Sequence, residues 1–114
     1  MSADLASRVR VTLADHPVSE MKMFGGTAFL LNGNMAASAS KRGLMLRVGK
    51  DAAAGMVGRG EAKQVEMRGR PMAGYVRVDE AGLADRDLAR WLDLALAFVR
   101  TLPAKAEGLR KAAP

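Results

Sequence analysis

The sequence predicts an α+β domain with two layers, in which helices cover one face of an antiparallel sheet of about five strands, in the order α-β3-α-β2-α. Two amphipathic helical patterns, one towards each end of the chain, predict the outer helices. Between them, alternating apolar and polar residues separated by glycine-containing turns predict the strands. A chain of 114 residues accommodates one such domain with a single core.

The first half of the chain changes from a helical period to a strand period. Apolar residues at helical spacing predict a helix over residues 3–15, and Pro17 ends it. Gly25-Gly26 then permits a bend or bulge in an apolar run. Asn32-Gly33-Asn34 supplies the positive φ angles of a tight hairpin turn. The predicted strands of this half are residues 27–31, 35–40 and 44–48.

The middle of the chain predicts a short helix and two further strands. Asp51 precedes three alanines and is predicted to be the N-cap of the helix. Residues 63–68 and 75–78 alternate as strands do. The glycines and proline of residues 69–74 predict a loop between these two strands.

The last helix has the clearest pattern. Asp85 is predicted to cap it, and Trp91 belongs to its broad apolar stripe. Neither a repeat nor an interdomain linker interrupts the chain. We therefore predict a single domain over residues 1–103, followed by a flexible tail over residues 104–114.

Composition is typical of a globular protein and excludes several kinds of site. Hydrophobic residues make up 49% and charged residues 26% of the sequence. No apolar run approaches the ~18 residues of a membrane span, so we expect a cytoplasmic protein that does not bind membranes. The lack of cysteine excludes disulfides and thiolate metal sites, and the one histidine, His16, is expected to cap a helix or face solvent.

No pattern typical of an enzyme is complete in this sequence. Gly49-Lys50 is similar to the end of a phosphate-binding P-loop, but Leu44 stands where that motif needs glycine, and Asp51 where it needs serine or threonine. No serine lies in the turn motif of the α/β hydrolases. We therefore predict that the protein is not an enzyme and has no catalytic residue, metal or cofactor.

The net charge of +6 is concentrated in the middle of the chain. Residues 1–39 and 79–114 are each neutral, whereas residues 40–78, the basic segment, contain nine bases and three acids. Such an excess suggests a polyanionic partner.

Strand alternation assigns much of this charge to the outer face of the sheet, which is the face opposite the helices. The residues predicted to point to the helices are Leu44, Leu46, Val48, Val65, Met67, Val76 and Val78. Those predicted on the outer face are Met45, Arg47, Gln64, Glu66, Arg68, Tyr75 and Arg77. This face either binds nucleic acid, with phosphate contacts and stacking on Tyr75, or is a solvated face where Glu66 pairs with arginines.

Methionine is unusually frequent, with eight residues against five aromatic ones. Methionine can form an adaptable protein-binding surface, and it can equally fill a core that lacks rings. We expect most of the methionines to be core residues, and Met45 and Met72 to be the better candidates for exposure.

Several motifs in a fixed order connect the sequence with a known family. They are residues 21–26, with Phe24, Gly25 and Gly26; the turn Asn32-Gly33-Asn34; the strand Leu44-Met45-Leu46-Arg47-Val48; Gly69-Arg70-Pro71-Met72 followed by Tyr75; and Trp91 in the last helix. Over about residues 5–100 the sequence resembles the N-terminal domain of the TfoX/Sxy family, bacterial regulators of natural competence.

The resemblance implies an α+β fold of the secretion-chaperone type and a regulatory role without catalysis. Family members with two domains act with the cyclic-AMP receptor protein at competence promoters. We expect a stand-alone N-terminal domain here, because the usual second, helical domain does not follow. The motif segments Gly25-Gly26 and Gly69-Arg70-Pro71-Met72 are interpreted as turning the backbone rather than as binding a ligand.

Two functional hypotheses follow from the sequence. In the first, the domain regulates transcription by binding another protein, a transcription factor or polymerase component, through Arg70, Met72 and neighbouring bases. In the alternative, it binds nucleic acid through Lys41, Arg42, Arg47, Arg68 and Arg77 of the basic segment. An exposed strand edge could also pair two copies into a homodimer.

Overall fold

A computed structural model describes residues 4–23 and 25–103 of the chain, without the side chains of Met23 and Met67. Two predictions lie outside these residues: the role of Phe24 in the glycine-pair motif, and the flexible tail over residues 104–114.

The chain folds into three helices and a six-stranded sheet. The helices are α1 (Leu5–Thr12), α2 (Lys50–Gly58) and α3 (Asp85–Val99), and a 3-10 turn at Glu80–Gly82 precedes α3. The strands are β1 (Val18–Met23), β2 (Gly26–Leu31), β3 (Asn34–Ser40), β4 (Gly43–Arg47), β5 (Lys63–Met67) and β6 (Arg70–Val78). The sheet is antiparallel throughout, in the order β1-β2-β3-β4-β6-β5. The predicted α+β class is confirmed, with one strand more than the five expected.

The additional strand is β1, which forms a hairpin with β2. The sequence pattern suggested a single bent run here, because glycines can mark either a bulge or a turn. In the structure Gly25 has a φ of 78° and Met23 lies opposite Gly26 in the strand register. The glycine pair therefore belongs to a tight reversal between two strands, as the Asn32-Gly33 turn does between β2 and β3.

The loop predicted over residues 69–74 is wrong. Arg68 and Gly69, with φ angles of 56° and 78°, form a two-residue hairpin turn, and β6 already begins at Arg70. Turns of this geometry usually have asparagine or aspartate before glycine. Arginine at the first position is atypical, so the sequence did not predict a turn here. Met72 consequently lies in a strand rather than in a loop.

The two predicted aspartate caps are displaced by one or two residues. The N-cap of α2 is Gly49 and that of α3 is Ala84, and neither makes a side-chain capping hydrogen bond. Asp51 and Asp85 lie instead in the first turns of their helices, where negative charge still stabilises the helix dipole.

The three helices cover one face of the sheet and enclose the core. Helix α1 packs on β3, α3 packs on β3 and β4, and α2 packs on β5 and β6. The largest fully buried side chains of this layer are Phe29, Leu44, Leu46, Leu88, Leu92 and Leu96. Trp91, which is 6% exposed, belongs to the same core cluster. The opposite face of the sheet is the outer face.

Candidate functional site

A row of cross-strand neighbours runs over the outer face through all six strands. In order from β1 to β5 it consists of Met21, Ala28, Ser38, Met45, Arg77 and Lys63. Cross-strand partners point to the same side of a sheet, and the adjacent rows on β2, β3 and β4 contain core residues such as Phe29 and Leu44. Small side chains, Ala28 and Ser38, occupy the middle of the row, and long basic side chains, Arg77 and Lys63, occupy its β5 end. The outer face is therefore recessed at its centre.

A cavity of about 500 Å³ lies on this face, at the end of the sheet where the β3–β4 turn is found. Ser38, Met45 and Arg77 of the outer row contribute to its wall, as do Lys41 and Arg42 of the turn. The sequence hypotheses used these three bases only as members of a charged segment. The structure brings them to a single concavity.

Val65 was predicted to face the helices and does not. Lys63 lies opposite Arg77 of the outer row and Gln64 lies opposite the core residue Val76, so alternation along β5 places Val65 on the outer face, one residue out of phase with the predicted pattern. Val65 is 2% exposed, but it lines the cavity with Met45 and Arg77 and is outside the core cluster on the helix side. An apolar wall is thereby added to the basic rim.

Ser38 is the cavity residue that sequence reasoning missed. It is one of only two polar residues buried among those described, and it is 8% exposed. The signal available in the sequence is the run of small residues Met-Ala-Ala-Ser-Ala-Ser in β3. Small residues in a strand indicate space above the sheet, but they do not show which face has that space.

Arg47 and Tyr75 form a stacked pair further along the outer face. They are direct cross-strand partners on β4 and β6, and the guanidinium carbon lies 5.6 Å from the centre of the ring. Both side chains are half-buried. The pair is consistent with a cation–π contact, which uses one face of the only tyrosine of the chain.

The segment of residues 66–73, which we call the hairpin arm, extends the sheet beyond the end of β4. Pairing between β4 and β6 stops at Tyr75, and Arg70 and Pro71 pair with β5 only. Strand β6 bends at Gly74, whose φ is 90° and whose carbonyl accepts hydrogen bonds from the backbone N–H groups of Val48 and Gly49. On the arm, Arg68 and Arg70 are exposed and Met72 is half-buried.

The predicted binding residues therefore form separate groups. Lys41, Arg42 and Arg77 surround the cavity, Arg47 and Tyr75 form the stacked pair, and Arg68, Arg70 and Met72 belong to the hairpin arm. Seven residues separate Arg77 from Arg70 along β6, which corresponds to at most about 23 Å of extended strand. One small ligand cannot contact all of them at once.

Ion pairing distinguishes these bases from others in the chain. Arg8 pairs with Asp85, Arg10 with Glu20, Arg59 with Glu61 and Lys63 with Asp79, at 2.7 to 3.1 Å. Within residues 4–23 and 25–103, no ion pair involves Lys41, Arg42, Arg47, Arg68, Arg70 or Arg77. The same holds for Glu66, so its expected pairing with arginines is not observed. The positive charge of these six residues is available to a partner.

A second concavity, of about 570 Å³, lies at the same end of the sheet between β1, the β3–β4 turn and the start of α1. Its charged lining is mixed, with Lys22 and Lys41 against Asp4 and Glu80. The Asp4 carboxylate already accepts the backbone N–H of Ser7 at 2.8 Å, and this hydrogen bond lowers the pKa of Asp4. This concavity is a weaker candidate for a binding site, because its charges are of both signs and the Asp4 carboxylate already accepts a hydrogen bond within the chain.

The family-motif residues that the structure describes have structural surroundings. A Cβ added to Gly26 would lie 2.3 Å from the Ala39 carbonyl oxygen, and Gly69 occupies the left-handed position of the arm's turn. Trp91 is buried in the core, and Pro71 is exposed in β6. With Gly25, whose positive φ belongs to the β1–β2 turn, four of the five described motif residues thus have an evident role in the fold.

Neither a membrane span nor a metal-ligand cluster is found in the described part of the chain. None of the helices there is both long enough and apolar enough to cross a membrane. Among the same residues, no three side chains of histidine, cysteine, aspartate or glutamate are grouped so that they could hold a metal ion.

Comparison with known proteins identifies a family for the chain. A search of curated proteins finds no similar sequence. The profile of the TfoX N-terminal domain family matches residues 13–99, which include the hairpin arm, the cavity-lining strands and Trp91. This family is not known as a family of enzymes. Because the match covers more than half of the chain and agrees with the α+β fold, the chain belongs to the TfoX N-terminal domain family.

Proposed function

We propose that this protein is a non-catalytic regulator that binds another protein of the transcription machinery, a transcription factor or polymerase component, through its hairpin arm. Membership of the TfoX N-terminal domain family supports a regulatory role. We choose the hairpin arm as the binding surface because it extends beyond β4 and has two exposed arginines.

The chemistry of the arm favours an acidic protein surface as its partner. Arg68 and Arg70 have no ion pair among the described residues, so they need not break one to bind. Arginine presents a rigid fork of donors that matches a carboxylate, and it is enriched at protein interfaces. Met72 adds a flexible apolar side chain next to them.

The proposal predicts a loss of regulation when the arm is altered. Cells that lack their own copy are supplied with the wild-type chain, with Arg70→Glu combined with Met72→Ala, or with Arg86→Glu, and their transcripts are sequenced. Arg86 is the matched control, because it is exposed on α3 and far from the arm in the chain. We expect the wild type and the control to restore the transcript profile and the double variant to leave it as in the deletion strain.

Equal restoration by all three chains would contradict the proposal, provided that circular dichroism shows the double variant to be folded. A deletion strain whose transcripts match those of the parent would contradict it as well, because a regulator must change transcription.

The stacked pair supports nucleic-acid binding as a second candidate. Arg47, Tyr75 and Arg77 lie close together on the outer face, and arginine next to an aromatic ring is a common element of single-strand binding surfaces. A single tyrosine provides only one stacking position, which is why this candidate ranks second.

Nucleic-acid binding predicts a characteristic salt dependence. The logarithm of the affinity for a single-stranded oligonucleotide should fall linearly with the logarithm of salt concentration. Removing Arg47 and Arg77 together should reduce the slope by about 1.4, or about 0.7 for each phosphate contact. Fluorescence anisotropy measures this, with Arg86→Ala as the control that keeps the slope. No binding of DNA or RNA at low salt would eliminate this candidate.

A further inference from the structure

The cavity on the outer face contains the buried hydroxyl of Ser38. Ser38 is 8% exposed and lines the cavity, and within the described residues its side chain neither donates nor accepts a hydrogen bond. Buried polar groups are almost always paired, because an unpaired one loses its hydrogen bonds to water without replacement. A partner for this hydroxyl is therefore expected inside the cavity.

The positive charge around the cavity favours a negatively charged ligand. Arg77 is half-buried as a residue and has no ion pair in the described part of the chain, and Lys41 and Arg42 add two exposed cations on the rim. Glu66 is the acidic residue among those lining the cavity. A group with a single negative charge can pair with Arg77 in a bidentate manner, whereas a doubly charged group would be repelled more strongly by the Glu66 carboxylate of the same cavity.

The remaining wall is apolar. Met45 lies between Ser38 and Arg77 in the outer row, and Val65, two residues after Lys63 on β5, belongs to the same wall. A volume of about 500 Å³ lies within the range of small-molecule sites, where a few polar groups orient a largely apolar ligand. The cavity thus has a charged end, a buried hydroxyl and an apolar side.

We propose that this cavity binds an organic carboxylate with a small apolar body. Arg77 pairs with the carboxylate, Ser38 donates a hydrogen bond to it, and Met45 and Val65 contact the apolar part. The ligand is either a free organic acid or the C-terminal carboxylate of a peptide, since both present the same group. The site uses neither Arg70 nor Met72, so it does not depend on the function proposed for the hairpin arm.

The test is titration of the isotope-labelled chain, followed by nuclear magnetic resonance of its backbone amides. The probes are 3-phenylpropionate and hexanoate, with their amides as uncharged controls, and a short peptide ending in phenylalanine with a free or an amidated C-terminus. We expect saturable shifts at Ser38, Met45 and Arg77 with a carboxylate probe and none with its amide. Response to the free acids identifies a small molecule as the ligand, and response to the free-terminus peptide alone identifies a chain end.

Variants separate binding from folding. Arg77→Gln should weaken carboxylate binding by about tenfold or more, because it removes a charge-assisted hydrogen bond, and Arg86→Gln should leave it unchanged. Ser38→Ala should also weaken binding but leave the unfolding midpoint unchanged or raised, because it removes an unpaired buried hydroxyl. The proposal is overturned if no carboxylate gives a saturable shift, if amides bind as tightly as acids, or if Arg77→Gln binds like the wild type.

Discussion

Replacing Gly26 by alanine is expected to lower the free energy of unfolding by about 3 kcal/mol, the upper end of the usual cost of overpacking. The added Cβ would lie 2.3 Å from the carbonyl oxygen of Ala39 and 2.8 Å from the Cβ of Ser40. Both contacts are with the neighbouring strand β3, and the closer one is with its backbone. No rotation of a flexible side chain can relieve it, so β2 and β3 must separate locally.

Gly25 is the control for this substitution, because it is adjacent but differs in its surroundings. A Cβ at Gly25 would meet no atom within 4 Å, and the residue needs glycine only for its φ of 78°. Gly25→Ala should therefore cost about 1 to 2 kcal/mol, the penalty of the left-handed conformation. Urea denaturation followed by circular dichroism measures both variants. A smaller loss for Gly26→Ala than for Gly25→Ala would show that close packing between β2 and β3 is not why glycine is required there.

Replacing Trp91 by alanine is expected to cost about 3 to 5 kcal/mol. The indole is 6% exposed and belongs to the core cluster between α3 and the sheet, so its removal leaves a large cavity next to side chains such as Leu88 and Leu92. A domain of this size has only about 5 to 15 kcal/mol of stability, so much of it would be lost.

Arg90 provides the comparison for Trp91. Its guanidinium carbon lies 5.8 Å from the centre of the indole, and its own side chain is exposed. Arg90→Ala should change stability by less than about 1 kcal/mol, the value of an exposed cation–π contact. Thermal unfolding monitored by circular dichroism suits both variants, since the tryptophan signal is lost in one. If Trp91→Ala unfolded at the wild-type temperature, a purely structural role for this motif residue would be excluded.

The sequence predicted the helix layer well, because side chains of the last helix repeat at helical spacing over about four turns. Every member of its apolar stripe from Leu88 to Val99 that was used to predict α3 contributes to or packs on the core. Helix ends were less certain, since an aspartate stabilises both the cap and the first turn. For this reason Asp51 and Asp85 were assigned to positions one or two residues from where they lie.

The sequence predicted an antiparallel sheet but not every strand of it, because two of the turns between strands were not recognised. Asn32-Gly33 is the typical sequence of its turn type, and the hairpin it predicts is present. Arg68-Gly69 adopts similar backbone angles with an atypical residue, so strand β6 seemed to start five residues too late. The Gly25-Gly26 pair was compatible with a bulge or a turn, and tertiary pairing of β1 with β2 decides between them.

The candidate site was predicted in its charges and not in its shape. The excess of bases in residues 40–78 is visible in the sequence, and seven of the nine have no ion pair among the described residues. The division of the predicted binding residues among the cavity, the stacked pair and the hairpin arm depends on the change of register between β5 and β6 and on the positive φ of Gly74 in β6. Strict alternation cannot represent either irregularity, because both change which residues face one side of the sheet.

Site-specific crosslinking in living cells tests the central claim, that the hairpin arm binds a protein of the transcription machinery. A photoreactive amino acid is placed at position 70 or, as the control, at position 86, and crosslinked proteins are identified by mass spectrometry. The account predicts that position 70 captures a transcription factor or polymerase component and that position 86 does not. Capture of the same proteins from both positions, or of no such protein from position 70, would contradict it.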